Sequence, residues 1–147
     1  MLAARGRVIV RRPLEEVFAF VADFENEPAW KPGLVHEVKR LSPTGPGVGT
    51  TYREVLSSGG ERVALTFEVN AYEPNRRVGF IASGSGTVGV YEVEPVAEGT
   101  KLTFTVRPRR RGLARVLAPL RAYQARKRLD AELEGLRRLL EDDRSAA

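Results

Sequence analysis

Hydrophobic and polar residues alternate most clearly between Arg62 and Tyr72. Val63, Leu65, Phe67, Val69 and Ala71 fall on one face, and Arg62, Thr66, Glu68 and Asn70 on the other. A period of two is that of a strand with one side buried. Lys101–Arg107 repeats it, with Leu102, Phe104 and Val106 opposed to Lys101, Thr103, Thr105 and Arg107. Shorter stretches predict strands over Arg5–Arg12, Leu34–Leu41, Thr50–Leu56, Arg77–Ser83 and Thr87–Glu94. Turn-forming clusters separate them, among them Ser57-Ser-Gly-Gly60, Glu73-Pro-Asn75 and Gly84-Ser-Gly86.

Between the first two strands the pattern is helical. Pro13 suits a first helical position, and Glu15 and Glu16 suit the positive end of a helix dipole. Val17, Phe18, Phe20 and Val21 supply its apolar face, and Asp23 can cap a second short turn over Phe24–Trp30. At the other end of the chain, Ala122, Ala125, Leu129, Leu133, Leu136 and Leu140 recur at spacings of 3 and 4, one face of a long helix. Leu113, Val116, Leu117 and Leu120 would lie about half a turn round from that stripe at ~100° per residue. Pro119 therefore predicts a helix start or kink, with 113–118 packing separately. The expected order is a strand, two short helices, six strands and a long helix, all within one domain spanning residues 1–147.

That order implies a container. A helix over 119–141 is ~35 Å long at ~1.5 Å per residue, and seven strands ~4.8 Å apart make a sheet ~34 Å wide. A rod ~10–12 Å thick cannot cover such a face unless the sheet curls round it, which leaves room inside. The expected cavity lies under Ala122 and Ala125, with the leucine half filling the core, and Gly79 and Gly89 easing the bend and removing bulk.

Composition removes several chemistries. The 147 residues include no cysteine and one histidine, His36, which excludes disulfides, thiolate nucleophiles and the usual zinc sites. No apolar run approaches the ~20 residues of a spanning helix, and arginines interrupt the N-terminal stretch, so a cytoplasmic protein is expected. No cofactor is expected. The net charge of +5 is uneven: residues 1–100 balance at −2 and residues 101–147 at +7. Arg109, Arg110 and Arg111 could touch an anionic membrane transiently, whereas the lack of interleaved aromatics argues against nucleic acid.

Pro13-Leu-Glu-Glu-Val-Phe-Ala-Phe-Val-Ala-Asp-Phe-Glu-Asn-Glu-Pro-Ala-Trp30 resembles the opening of the START-like SRPBCC superfamily, particularly its polyketide cyclase/dehydrase and lipid-transport branch. Gly47-Val-Gly-Thr-Thr-Tyr52, Tyr72-Glu-Pro-Asn-Arg-Arg-Val-Gly-Phe80, Tyr91-Glu-Val-Glu-Pro95 and Gly99-Thr-Lys-Leu-Thr103 extend the likeness over about residues 6–141. The resemblance implies an α+β helix-grip fold, with a seven-stranded curved antiparallel sheet wrapped round the long C-terminal helix and ligands held between them. Arg12 departs from the family pattern, which often places a small capping residue there.

Candidate ligand-binding residues are Trp30, Tyr52, Glu54, Phe67, Phe80, Tyr91, Phe104, Ala122, Ala125 and Leu129. Trp30 either flanks the mouth or belongs to the core. Phe67 and Phe104 face inward, to touch ligand or only to pack. Tyr52, Tyr91 and Phe80 could supply wall and a phenolic hydrogen bond. Alternation opposes Arg53 to Glu54 without saying which points inward, and an inward carboxyl would have a raised pKa. His36 would suggest general-base chemistry only if paired with an inward carboxylate. The serines at 57, 58, 83 and 85 lie in expected turns with no nucleophile elbow, and Gly45-Pro-Gly-Val-Gly-Thr50 lacks a phosphate-loop lysine and reads as a loop or lid. No catalytic or metal-binding residue is assigned.

The expected function is binding of a hydrophobic small molecule, such as a lipid, polyketide or isoprenoid. A cyclase or dehydratase would instead need at least two polar groups converging inside. An adaptor docking a macromolecule through its basic end is the third reading. Ligand and oligomeric state are not legible in the sequence.

Overall fold

In the computed structural model, residues 4–58, 60–84, 86–107 and 118–146 are described, with backbone alone for 58, 118–126 and 143–146. Seven strands form one antiparallel sheet: β1 (Ala4–Val10), β2 (Val35–Arg40), β3 (Thr51–Ser58), β4 (Glu61–Glu73), β5 (Arg77–Ala82), β6 (Val88–Val96) and β7 (Gly99–Arg107). Their order across the sheet is β1-β7-β6-β5-β4-β3-β2, so the chain enters at one edge and resumes at the other. From β3 onward consecutive strands pair through short turns, as the alternations predict, while residues 41–50 form the longer link between β2 and β3. Ser57 and Ser58 continue β3 and are not turn residues, because the hairpin tip lies further out than expected.

The segment that links the two edges crosses the concave face as α1 (Leu14–Ala22), a single 3₁₀ turn (Phe24–Asn26) and α2 (Glu27–Trp30). α1 packs on β6 and β7, and α2 wedges between β2 and the long helix α3 (Ala118–Ala146). Asp23 caps the 3₁₀ turn by accepting from Glu25 N at 3.1 Å, as its position predicts. Pro13 is the N-cap of α1 and provides no side-chain acceptor, while Arg12 reaches forward to Glu16 at 2.7 Å. The helix start is thus held by an ion pair and not by a capping hydroxyl.

α3 begins at Ala118, beside Pro119, and residues 113–117 and the basic run Arg109–Arg111 lie outside the described residues. Leu129, Leu133, Leu136 and Leu140 are all buried, so the leucine half of the stripe fills the core as expected. It does so mainly along β1, where Gly6 lets the helix approach. A Cβ at Gly6 would meet Leu133 Cδ1 at 3.0 Å, Asp130 Oδ1 at 3.1 Å and Leu129 Cβ at 3.2 Å. Near its far end Glu141 accepts from Arg11 N at 3.0 Å, tying helix to sheet edge.

Three expectations about the strands need correcting. Val63 lies on the apolar face of β4 yet is 41% exposed, because the β3–β4 hairpin projects past the elements that cover the sheet. The alternation also breaks further along: a bulge between Val69 and Ala71 shifts the register, and Tyr72 meets Phe18 of α1 with ring centroids 5.6 Å apart. Nor do Gly79 and Gly89 simply remove bulk. A Cβ at Gly89 would lie 2.5 Å from Phe80 Cζ, and one at Gly79 3.0 Å from Asn70 Oδ1, so these glycines make room for neighbouring side chains.

Gly6→Val should therefore lower stability by about 1–3 kcal/mol, the usual cost of overpacking a tight contact, read as a shift of the urea midpoint.

Candidate functional site

The inner face of the sheet carries a continuous aromatic patch. Tyr52 stacks on Phe67 at 5.2 Å, Phe67 meets Phe80 at 5.4 Å, Phe80 meets Phe104 at 6.2 Å, and Phe104 stacks on Tyr91 at 4.1 Å. Register explains the grouping, because Tyr52 pairs with Phe67 across β3–β4 and Tyr91 with Phe104 across β6–β7. Phe24 of the 3₁₀ turn sits over the patch and touches Tyr52, Phe67, Phe80 and Tyr91. Trp30 completes it against Tyr91 at 6.1 Å. Six of the predicted residues, Trp30, Tyr52, Phe67, Phe80, Tyr91 and Phe104, thus share one surface. Phe80 is the one of these that is not fully buried.

At one end of this patch lies a polar cluster. Glu27 and Lys31 stand one turn apart at the two ends of α2, both buried, with Lys31 Nζ 2.7 Å from Glu27 Oε2. The ammonium also donates to Tyr91 Oη at 3.2 Å and lies 4.6 Å from the Trp30 ring and 5.3 Å from that of Phe104. The Lys31 carbonyl accepts from Val35 N at 3.0 Å, which fixes this residue at the entrance to β2. Burial works against the lysine's charge, yet Glu27 foremost, then Tyr91 and Glu132, outweigh it and hold its pKa above the ordinary value. Burial pushes the Tyr91 phenol up.

Glu54 joins them from β3. It points inward beside Tyr52, with Val38 and Leu65 as its cross-strand neighbours, while Arg53 is exposed. Glu54 is 9% exposed, and no described residue gives it a hydrogen bond or an ion pair. Burial first, then repulsion from Glu27, raises its pKa from 4.5 to about 7, with Lys31 pulling the other way. Glu132 of α3, half-buried, is shifted upward for the same first reason. Burial, with Asp23 adding to it, leaves the Tyr52 hydroxyl pushed up to about 12.

The other candidates fall elsewhere. Leu129 packs against Gly6 and is core, and the side chains of Ala122 and Ala125 lie outside the described residues, as does the space expected beneath them. His36 sits in a bulge of β2 with Nε2 2.6 Å from Ser57 Oγ, and it meets no inward carboxylate. The Gly45–Thr50 loop is tied to β4 by Gly49 N donating to Val69 O and Val69 N to Thr50 O, both at 2.9 Å. A separate shallow groove of about 450 Å³ between Arg11–Glu16 and Val96–Gly99 shares no residue with the cluster. Among the described residues no group of three or more His, Asp or Glu could hold a metal ion, and no helix is long and apolar enough to cross a membrane.

Residues 1–141 match the family described as polyketide cyclase/dehydrase and lipid transport. The chain belongs to that family. Solved structures agree on the fold. TTHA0849 from Thermus thermophilus is 19% identical, with 92% of this chain and 94% of that one aligned at a TM-score of 0.75. The polyketide-cyclase-like protein Cgl2372 from Corynebacterium glutamicum is 22% identical over 96% and 92% of the two chains, with a TM-score of 0.67. Aha1 from Colwellia psychrerythraea, solved as a dimer, is 19% identical over 96% and 97%, with a TM-score of 0.66. No curated protein matches the chain.

Sequence reasoning missed Glu27, Lys31 and Glu132. A charged pair four residues apart on a helix normally marks a solvated face. The available signal was the setting of Glu27-Pro-Ala-Trp-Lys31, where a large aromatic and a proline sit inside the pair.

Two substitutions test the electrostatics. A carboxyl whose folded pKa lies above its unfolded one costs nothing at low pH. It destabilises increasingly as pH rises from 4.5, and fully once pH exceeds about 7. Glu54→Gln should therefore stabilise the protein by about 2 kcal/mol at pH 8 and by little at pH 4.5, in parallel urea titrations. Lys31→Met should do the reverse, costing about 3–5 kcal/mol at pH 7 by stranding the buried Glu27.

Proposed function

We propose that the protein binds a hydrophobic small molecule, such as a lipid, polyketide or isoprenoid, on the aromatic inner face of its sheet. The apolar part lies along the patch around Phe80, and the head group meets the cluster of Lys31, Tyr91 and Glu54. One observation carries the reading: Glu54 is a buried carboxyl to which no described residue gives a hydrogen bond or an ion pair, placed where an aromatic wall ends. Groups held at such a cost are concentrated at functional sites. Membership of a family described by lipid transport and cyclase chemistry supports the same reading.

The enzyme alternative, a polyketide cyclase or dehydratase-like activity, gains from a specific finding. It required at least two polar groups converging inside, and Lys31 with Tyr91, together with Glu54 near neutrality, supply them. In that case Lys31 and Tyr91 would polarise a carbonyl and Glu54 would move the proton.

The neutral apolar dye Nile red should bind the purified protein saturably at a single site. Its emission should rise, and Phe80→Gln should weaken it at least tenfold without changing the circular dichroism spectrum. A native mass spectrum should show a co-purified apolar molecule. A bare polypeptide mass together with no saturable dye binding would end the proposal.

A further inference from the structure

Among the described residues the cluster holds more acid than base. Glu27, Glu54 and Glu132 all act on the single buried ammonium of Lys31, while Arg128, exposed on α3, bears on Glu132. Lys31 is already committed, to Glu27 at 2.7 Å and to Tyr91 at 3.2 Å. Glu54 is left over. Its cross-strand neighbours Val38 and Leu65 have no side-chain donor, and no described residue donates to its carboxylate.

Consider what kind of head group completes this arrangement. A carboxylate or phosphate ligand would add negative charge beside a carboxyl that no described residue pairs. A neutral alcohol would leave the deficit in place. An ammonium group would fill it, forming with Glu54 the pair that Lys31 forms with Glu27. The walls suit a cation as well, since Lys31 itself rests against the rings of Trp30 and Phe104.

We infer that the ligand is an amphiphilic amine whose ammonium pairs with Glu54 while its apolar chain runs along the aromatic patch. The inference rests on the reading of that patch as an apolar binding site and adds the charge of the head group. The other titratable members of the cluster among the described residues are Glu27 on α2 and Lys31 just after it, Tyr91 on β6, Glu132 and Arg128 on α3, and Tyr52 beside Glu54 on β3.

Dodecylamine, dodecanol and dodecanoate, each below its aggregation concentration, test the point with the full chain. Calorimetry reads affinity, and the sole tryptophan, Trp30, reports from the site itself. At pH 8 dodecylamine should bind at least about tenfold more tightly than dodecanol, and dodecanoate most weakly. Its binding should weaken towards pH 5.5, where the ammonium, still charged, must displace the Glu54 proton. Glu54→Gln, which should fold with added stability, should bring amine and alcohol within about twofold of each other. Equal binding of dodecanol and dodecylamine at pH 8, or a preference unchanged in Glu54→Gln, would overturn the inference and leave the apolar site standing. Failure of all three to bind, with Nile red binding absent too, would remove both.

Discussion

A lysine ammonium withdrawn from water is the constraint on which the middle of this molecule depends. Desolvating one charge costs several kcal/mol, and the cost is offset only when partners stand at contact distance. Here the partners come from two places: Glu27 from the start of the four-residue helix that Lys31 follows, and Tyr91 from the sixth strand. The rings of Trp30 and Phe104 close over the remaining sides. Such a short helix has negligible stability of its own. It is held because Lys31 must reach Tyr91, because its carbonyl starts the second strand, and because α3 shuts it off from solvent. That position in turn sets Trp30 and brings Phe24 down onto the aromatic patch.

The same interaction explains the electrostatic state of Glu54. With Lys31 engaged by Glu27, little positive charge remains to offset the burial of a second carboxyl, and Glu27 itself repels it. The site is therefore two unlike halves that share one cation: a hydrogen-bonded pair that supports the fold, and an acid that no described residue pairs, raised in pKa by burial. Both a cation-accepting pocket and a proton-transferring site can be built from such a pair, since each needs a carboxyl poised to change charge.

The strands and their order were legible because each buries one face, and a period of two is then hard to mistake. The pattern failed where geometry departs from the ideal ladder. The bulge at Val69–Ala71 turned Tyr72 towards α1, and the projecting hairpin left Val63 in solvent. The aromatic members of the site were legible for the same reason as the sheet, as large apolar residues on inward positions. Arg53 and Glu54 were not separable, because both candidate faces of the third strand carry a charge and neither breaks the tie. Glu27 and Lys31 were hidden more deeply. Their spacing is that of a surface pair, and only the tertiary wedge of α2 between the second strand and α3 turns it into a buried one.

The glycines show how the inner face was arranged round its rings. A curved sheet gripping a single helix has spare volume in principle, yet at Gly89 that volume is taken by Phe80, and at Gly6 by the helix itself. Aromatic side chains thus consume much of the room that the width mismatch creates. The described part of the inner face is a set of ring faces ending at charged groups. An apolar wall accepts many greasy molecules of the right volume, so discrimination among them falls to the few polar groups at its end. Glu54 contributes nothing to packing that an apolar residue would not provide at lower cost. A carboxyl in a buried sheet position is understandable if the polar end, more than the wall, decides what binds.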